Sequence, residues 1–355
     1  MTEAGKDICN SNNYDKNSTN LVSLVLFFDG ASYTKSNNYP LHAFFSTICE
    51  LPPLLRNCTR NIITHSLWTG SAPDFNIFLG RYNNQLDHIL KNGIFIKAVG
   101  INITVKCHVF IADAPERAAV LNMNKFNGKF GCIQCVQEGE NLNKGKPGNN
   151  FKYTYQPEEM LLRTTKRYEN QVKQSMIQKS VCEGIKGSTY LSNWIVLPTC
   201  SIIDYMHASL LGTTKHMLNL FLSDKHRTKD FYLGTKLNDI DKILLHINYP
   251  SEFSRQQRSI THHLQYFKAS EYRNFIFYAA LPILKYFLPS AFFHHYVDYV
   301  IFLRLLCDKN IESKDYLLAY EIIDDYLKNF ELLYGKENMT FNLHSHIHLP
   351  SQVQK

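Results

Sequence analysis

The apolar period of this chain changes once, and that change calls for two different architectures in series. Through the first 130 residues short apolar runs alternate with segments of helical spacing; from Ile202 onward only the 3.6-residue rhythm remains. Residues 21–28, LVSLVLFF, are a continuous apolar run and read as a buried strand ending at Asp29-Gly30. LHAFFSTICEL and NIITHSLW are two further strand candidates, separated by a turn at Pro52-Pro53. Apolar residues recur at helical spacing from Phe75 to Leu90, and Asn92-Gly93 closes that helix. INITVKCHVFIA, residues 101–112, opens with strict alternation and delivers Asp113; APERAAVLNM then reads as a helix with Pro115 in its first turn. Strands interleaved with helices require a sheet covered by helices, which is the α/β class. In the second half, helices are expected over 203–222, 238–247, 271–287, 291–307 and 313–334.

These readings divide the chain into a polar, disordered leader (1–20), a sheet-forming core (21–135), a basic connection (136–200) with one helix near 158–178, and a helical domain (201–355). The net charge is +7, and +5 of it falls between Lys144 and Lys186, where nine Lys or Arg face four Glu. Such a stretch is either a solvated linker or a phosphate-contacting face, with Lys166, Arg167 and Lys173 as the candidate DNA contacts. The nine cysteines are scattered apart from Cys132 and Cys135, and the opening residues carry no apolar signal segment. The thiols are therefore expected free or on metal, not in disulfides. No run of about 18 apolar residues exists, so no membrane is expected as a partner.

The residues that carry chemistry have bland explanations when taken singly. Asp29-Gly30 after a strand is ordinarily a turn. Asp113 is suited to cap the following helix, with Glu116 completing a capping box. Asp204 reads as another cap, with His207 in the first turn of its helix. As a pair, Asp29 and Asp113 mean more. Two acids ending neighbouring strands would repel unless divalent cations lay between them, the arrangement used for two-metal phosphodiester chemistry. Cys132-Ile133-Gln134-Cys135 is half of a tetrahedral metal site, with Gly131 allowing the tight turn that aims both sulfurs at one ion. The missing ligands are sought among His344, His346 and His348. The first and last share a face if the segment is helical, and all three share one if it is extended.

The order of local motifs adds a further indication. It runs from Asp29-Gly30 through Leu51-Pro52-Pro53-Leu54-Leu55-Arg56, Leu67-Trp68-Thr69-Gly70, Asp113-Ala114-Pro115-Glu116-Arg117 and the Asn127-to-Cys135 knuckle. Asp204-Tyr205-Met206-His207, Leu210-Leu211-Gly212-Thr213-Thr214-Lys215, Glu271-Tyr272-Arg273-Asn274-Phe275, Tyr334-Gly335-Lys336-Glu337 and Asn342-to-Pro350 follow. From about residue 21 to the end, this series resembles the DDE-type DNA transposases of the CACTA, Mirage and Chapaev group, and more distantly the V(D)J recombinase core. The resemblance implies an RNase H-like mixed sheet with a large all-helical insertion domain. It implies Asp29 and Asp113 as catalytic ligands for Mg2+ or Mn2+, and Cys132, Cys135, His344 and His348 as a structural zinc site pinning the insertion to the sheet. His346 is extra to that pattern. Double-stranded DNA at transposon ends, a homo-oligomer and a nuclear location are implied with it. The family's third acid is a Glu beyond the His pair, and residues 349–355 contain no acid. The expectation is a DNA-binding protein catalytically incomplete as given, or a domesticated non-enzymatic scaffold for DNA or protein.

Overall fold

The structure, a computed structural model, describes residues 20–32, 40–71, 73–142, 151–156 and 160–354. The expected leader lies outside the described residues except for Asn20, as do Lys144 and Lys146 of the basic stretch. The chain divides into two compact units, one carried mainly by residues up to Asp204, the other by Lys152–Tyr155 with Tyr205–Gln354.

The first unit is built on a mixed sheet. Its strands are β1 (Leu21–Ser32), β2 (Pro40–Ile48), β3 (Ile63–Thr69), β4 (Ile94–Ile96), β5 (Ile101–Ala112) and β6 (Ser201–Ile203). The order is β3-β2-β1-β5, with β4 and β6 both pairing with β5. The β1–β2–β3 meander and the β4–β5 pair are antiparallel, whereas β1–β5 and β5–β6 are parallel. Leu24, Leu26 and Phe28 of β1 are buried, and Phe28 stacks on Phe44 of β2 at 4.5 Å between ring centroids. Helix α1 (Phe75–Asn92) closes over this face with Phe75, Phe78, Leu79 and Leu86, and the Phe75 and Phe78 rings meet Phe28 edge-on. Each such phenylalanine contributes about 2 kcal/mol by leaving water, so this aromatic cluster fixes how α1 seats on the sheet. Asp74 caps α1 by accepting from the Asn76 and Ile77 N–H groups, and Gly93 ends it at φ +69°, where any Cβ would collide with the Ile103 carbonyl oxygen.

Helix α2 (Ala114–Val120) follows β5 directly, and α3 (Thr165–Gln178) starts later than the sequence suggested. Two differences from expectation have physical causes. Pro52-Pro53 opens a one-turn helix, Pro53–Arg56, because proline suits the first helical position. Ser201–Ile203, expected to open the helical domain and, at Ile203, its first long helix, is a strand instead. Three residues are too few to show a period, and only pairing with Phe110–Ala112 defines them.

The second unit is helical, including α4 (Lys215–Leu222), α5 (Leu237–Leu245), α6 (Ser290–Leu306), α7 (Ser313–Tyr334), α8 (Phe341–Ser345) and α9 (Leu349–Gln354). Its core is aromatic: His295 and Tyr299 of α6 stack on Tyr326 of α7 at 4.1 and 5.2 Å, beside buried Tyr296, Phe302, Phe330 and Tyr334. The expected helices at 203–222 and 271–287 each contain a π-helical stretch, Met206–Thr214 and Phe275–Ala279. In the second, Pro282 has no N–H to give to the preceding turn, which favours the wider bonding pattern. Among the described residues no helix is long and apolar enough to cross a membrane.

Candidate metal centres

The first centre forms where β5 ends beside β1. Strand β1 does not stop at Asp29-Gly30 as expected but runs on to Ser32, with Asp29 and Gly30 paired to Ala43 and His42 of β2 in place of a turn. The parallel β1–β5 register pairs Phe28 with Ala112, so Asp29 of β1 stands level with Asp113 just beyond β5. Asp29 is exposed and Asp113 half-buried. Asp113 also caps α2, its Oδ1 accepting from the Glu116 N–H at 2.8 Å. The expected capping box is only half made. The Glu116 carboxylate turns to His42 instead, 3.0 Å from Nδ1, because the β1–β2 register sets His42 opposite Gly30. Burial raises the Glu116 pKa, His42 opposes that shift, and Asp113 and Asp29 add to it, so these four side chains share one electrostatic field. Behind them Arg117 is buried and donates to the Ile202 carbonyl at 3.4 Å. Burial lowers its pKa, while Cys132, Asp204 and Asp113 favour its charged form. Asp204 favours the charged form of that buried guanidinium, and it immediately precedes Tyr205, the first helical residue of the run that continues into the π-helix.

The second centre begins with the Cys132–Cys135 loop. Its left-handed residue is Phe130, at φ +56°, and not Gly131. Gly184 passes so close beneath that a Cβ there would strike the Phe130 carbonyl. Buried Arg163 holds the loop from inside, donating through Nη2 to the carbonyls of Cys132 and Cys135 at 3.1 Å and of Glu183 at 3.0 Å. Burial and the neighbouring Cys132 push the Cys135 thiol well up, while the Gln137 N–H and Arg163 pull it down.

His344 and His348 lie on consecutive helical turns, α8 and the 3₁₀ turn His346–His348, with ring centroids 5.2 Å apart; His344 stacks on Tyr153 at 4.9 Å. Helical geometry therefore separates His346 from them. Its Nδ1 faces the Asn342 carbonyl at 2.6 Å and must carry the proton. Its Nε2 is then the acceptor for Ser209 and Tyr299, at 3.0 and 3.1 Å. Burial lowers its pKa to about 4, leaving a neutral core histidine with no lone pair to spare.

The ligand atoms of Cys132, Cys135, His344 and His348 all lie within 4.8 Å of one another, and all four residues are buried. A thiol held up by burial and by a neighbouring sulfur is relieved by a dication, and two sulfurs with two imidazoles make a closed tetrahedral donor set. Sequence reasoning found these four residues but missed Glu116, His42 and Arg163, whose roles depend on strand register and on the loop's interior.

The basic stretch is divided in use. Lys166 and Lys173 are exposed on α3, but Arg167 is engaged with Glu183 at 2.9 and 3.0 Å. Partial burial works against the Glu183 carboxylate, yet Arg167 and Gln171 hold its pKa below the usual value. Glu271, in the helical unit, is 0% exposed. It accepts from the Lys268 N–H and from Arg258 at 2.6 and 2.7 Å. Comparison with models of known protein families and with curated proteins yields no match, so the chemistry of these two centres has to be argued from their own residues.

Proposed function

We propose that this chain is a transposase-derived, DNA-binding core of RNase H-like type, with Asp29 and Asp113 as ligands for Mg2+ or Mn2+ and zinc on Cys132, Cys135, His344 and His348. The observation that carries the reading is the parallel β1–β5 register, which pairs Phe28 with Ala112 and so sets Asp29 of β1 level with Asp113 just beyond β5. The mixed sheet supports it: an antiparallel meander of three strands is extended by β5 and β6, which run parallel to β1, as the expected mixed sheet with helices calls for. The Cys2His2 donor set suits zinc in a structural role, since it leaves no open coordination position. When bound at the acids, divalent cations activate a water or 3′-hydroxyl and stabilise the leaving oxygen in phosphodiester chemistry. The chain's own part is to hold one carboxylate on β1 and one just beyond β5, and to meet phosphates with exposed lysines of α3.

The alternative, a non-enzymatic scaffold for DNA or protein, is separated by one experiment. Zinc-loaded protein is tested for duplex binding across salt concentrations and for plasmid nicking with Mg2+ and Mn2+, with Asp29→Ala as the control. Salt-dependent duplex binding is expected in both proteins. Divalent-dependent nicking that disappears in Asp29→Ala identifies the nuclease; binding without nicking identifies the scaffold. Absence of duplex affinity at low salt refutes the proposal.

A further inference from the structure

Where α1 begins, large aromatic rings set it on the sheet: Phe75 and Phe78 meet Phe28 of β1 edge-on at 5.5 and 5.8 Å. Toward the start of β1 the sheet presents Val22, Leu24 and Val105 instead. Between these shorter side chains and Leu86 and Ile89 of α1 lies a cavity of about 330 Å3. Phe44, stacked on Phe28, bounds it on the aromatic side. Ile94 and Ile96 of β4 also line it and are exposed, so the cavity opens to solvent beside that strand. Its volume falls within the roughly 300–1,000 Å3 of small-molecule sites.

The lining decides what can enter. Among the described residues its polar side chains are His65 and Gln85, every other is apolar, and none carries a carboxylate, an ammonium or a guanidinium. Burial lowers the His65 pKa, and its Nε2 lies 2.9 Å from the Ser46 hydroxyl, so it enters as a neutral ring already hydrogen-bonded. Ordered water needs about two to four polar partners, and an ionic ligand needs a countercharge; this space supplies neither. A flat protein surface laid over Ile94 and Ile96 would leave the space beneath them empty and forfeit the dispersion contacts that filling it provides. We propose that the cavity between α1 and the sheet is a binding site for an uncharged, apolar small molecule. Its hydrocarbon part fills the space lined by Leu24, Leu86, Ile89 and Val105, and exposed Gln85 takes its polar group where it has one. The site lies toward the start of β1, away from Asp29, and does not depend on the assignment of either metal centre.

The test uses the zinc-loaded full chain and N-phenyl-1-naphthylamine, an uncharged aromatic probe that fluoresces in apolar surroundings. Saturable one-to-one binding is expected, with energy transfer from tryptophan. Trp68 and Trp194, the chain's two tryptophans, both belong to the first unit, and Trp194 stacks on Phe44 at 6.2 Å. Val22→Phe combined with Ile89→Phe fills the cavity and should weaken binding by about tenfold to a hundredfold. Should that double variant fold poorly, Ile89→Phe alone occupies part of the same space and should weaken binding in the same direction. Leu332→Ser, which removes an exposed leucine of the second unit, should leave binding unchanged. No saturable binding, binding without energy transfer, parent-like affinity in a folded filling variant, or loss of binding in Leu332→Ser overturns the proposal. Sedimentation velocity tests for a second copy as the occupant: a parent dimer that Ile96→Lys disperses gives the mouth to self-association and overturns it too.

Discussion

Replacing Cys132 by Ser tests the metal centre most directly, because the ligand atoms there converge within 4.8 Å from distant parts of the sequence. Holding positions roughly 200 residues apart removes loop-closure entropy from the unfolded chain, and the relation used for disulfides puts such a closure at about 5 kcal/mol. Serine is a poor zinc ligand, so most of that contribution should vanish with the thiol. For units of this size each kcal/mol moves the melting temperature by about 2–4 °C, so a fall of roughly 10–20 °C is expected. The assay pairs thermal unfolding with metal analysis. The parent should carry one zinc and lose stability on chelation, whereas Cys132→Ser should carry little and be indifferent to the chelator. A folded parent containing no zinc, or a variant melting with the parent, would refute the reasoning. Cys200→Ser is the control, a buried thiol outside the cluster, which should retain the metal.

Three further outcomes are expected. Asp113→Asn keeps an acceptor for the Glu116 N–H and should cost little stability, whereas Asp113→Ala should cost about 1 kcal/mol; equal losses in denaturant midpoint would deny Asp113 its capping role. Replacing Lys166 and Lys173 by Gln should flatten the salt dependence of duplex binding without altering stability, whereas Arg167→Gln should also destabilise by freeing Glu183 from its partner; parent-like binding by the double variant at every salt concentration would make α3 a solvated helix only. His216 and His295 are both lowered to about 4 by burial, below the unfolded value near 6.5, so their contribution is complete above pH 6.5 and fades as pH falls toward 4. His295→Gln should therefore make urea stability less steep in pH across that window, by at most about 3 kcal/mol, and an unchanged slope would contradict the burial argument.

How legible these features were in the sequence depended on how local each signal is. The run LVSLVLFF and the alternation of INITV are self-contained, and both became strands of one sheet. The helix from Phe75 and its Gly93 stop could be read because cap, period and terminator all lie within one segment. The cysteine and histidine ligands were legible through their spacing, although only the helical turn at His346 decided which histidines face together. The β6 strand was hidden because three residues have no pattern of their own. Glu116 was taken for half of a capping box, since nothing near it in sequence announces His42 across the sheet. Arg163 looked like one more charge in a basic stretch, and its buried role appears only once the knuckle has closed around it.

The late arrival of β6 bears on how the chain is made. Its three residues pair with Phe110–Ala112, the end of the strand that leads into Asp113. Roughly 90 residues separate the two partners, which at synthesis rates of about 5–20 residues per second is on the order of ten seconds. Until then that edge of β5 is open, carrying apolar side chains and unanswered backbone groups of the kind that recruit foreign strands. A nascent chain halted before residue 201, or a fragment cut at the end of the cysteine knuckle, retains this edge permanently. Such fragments should aggregate, and the shortest soluble piece of the first unit should extend through Ile203.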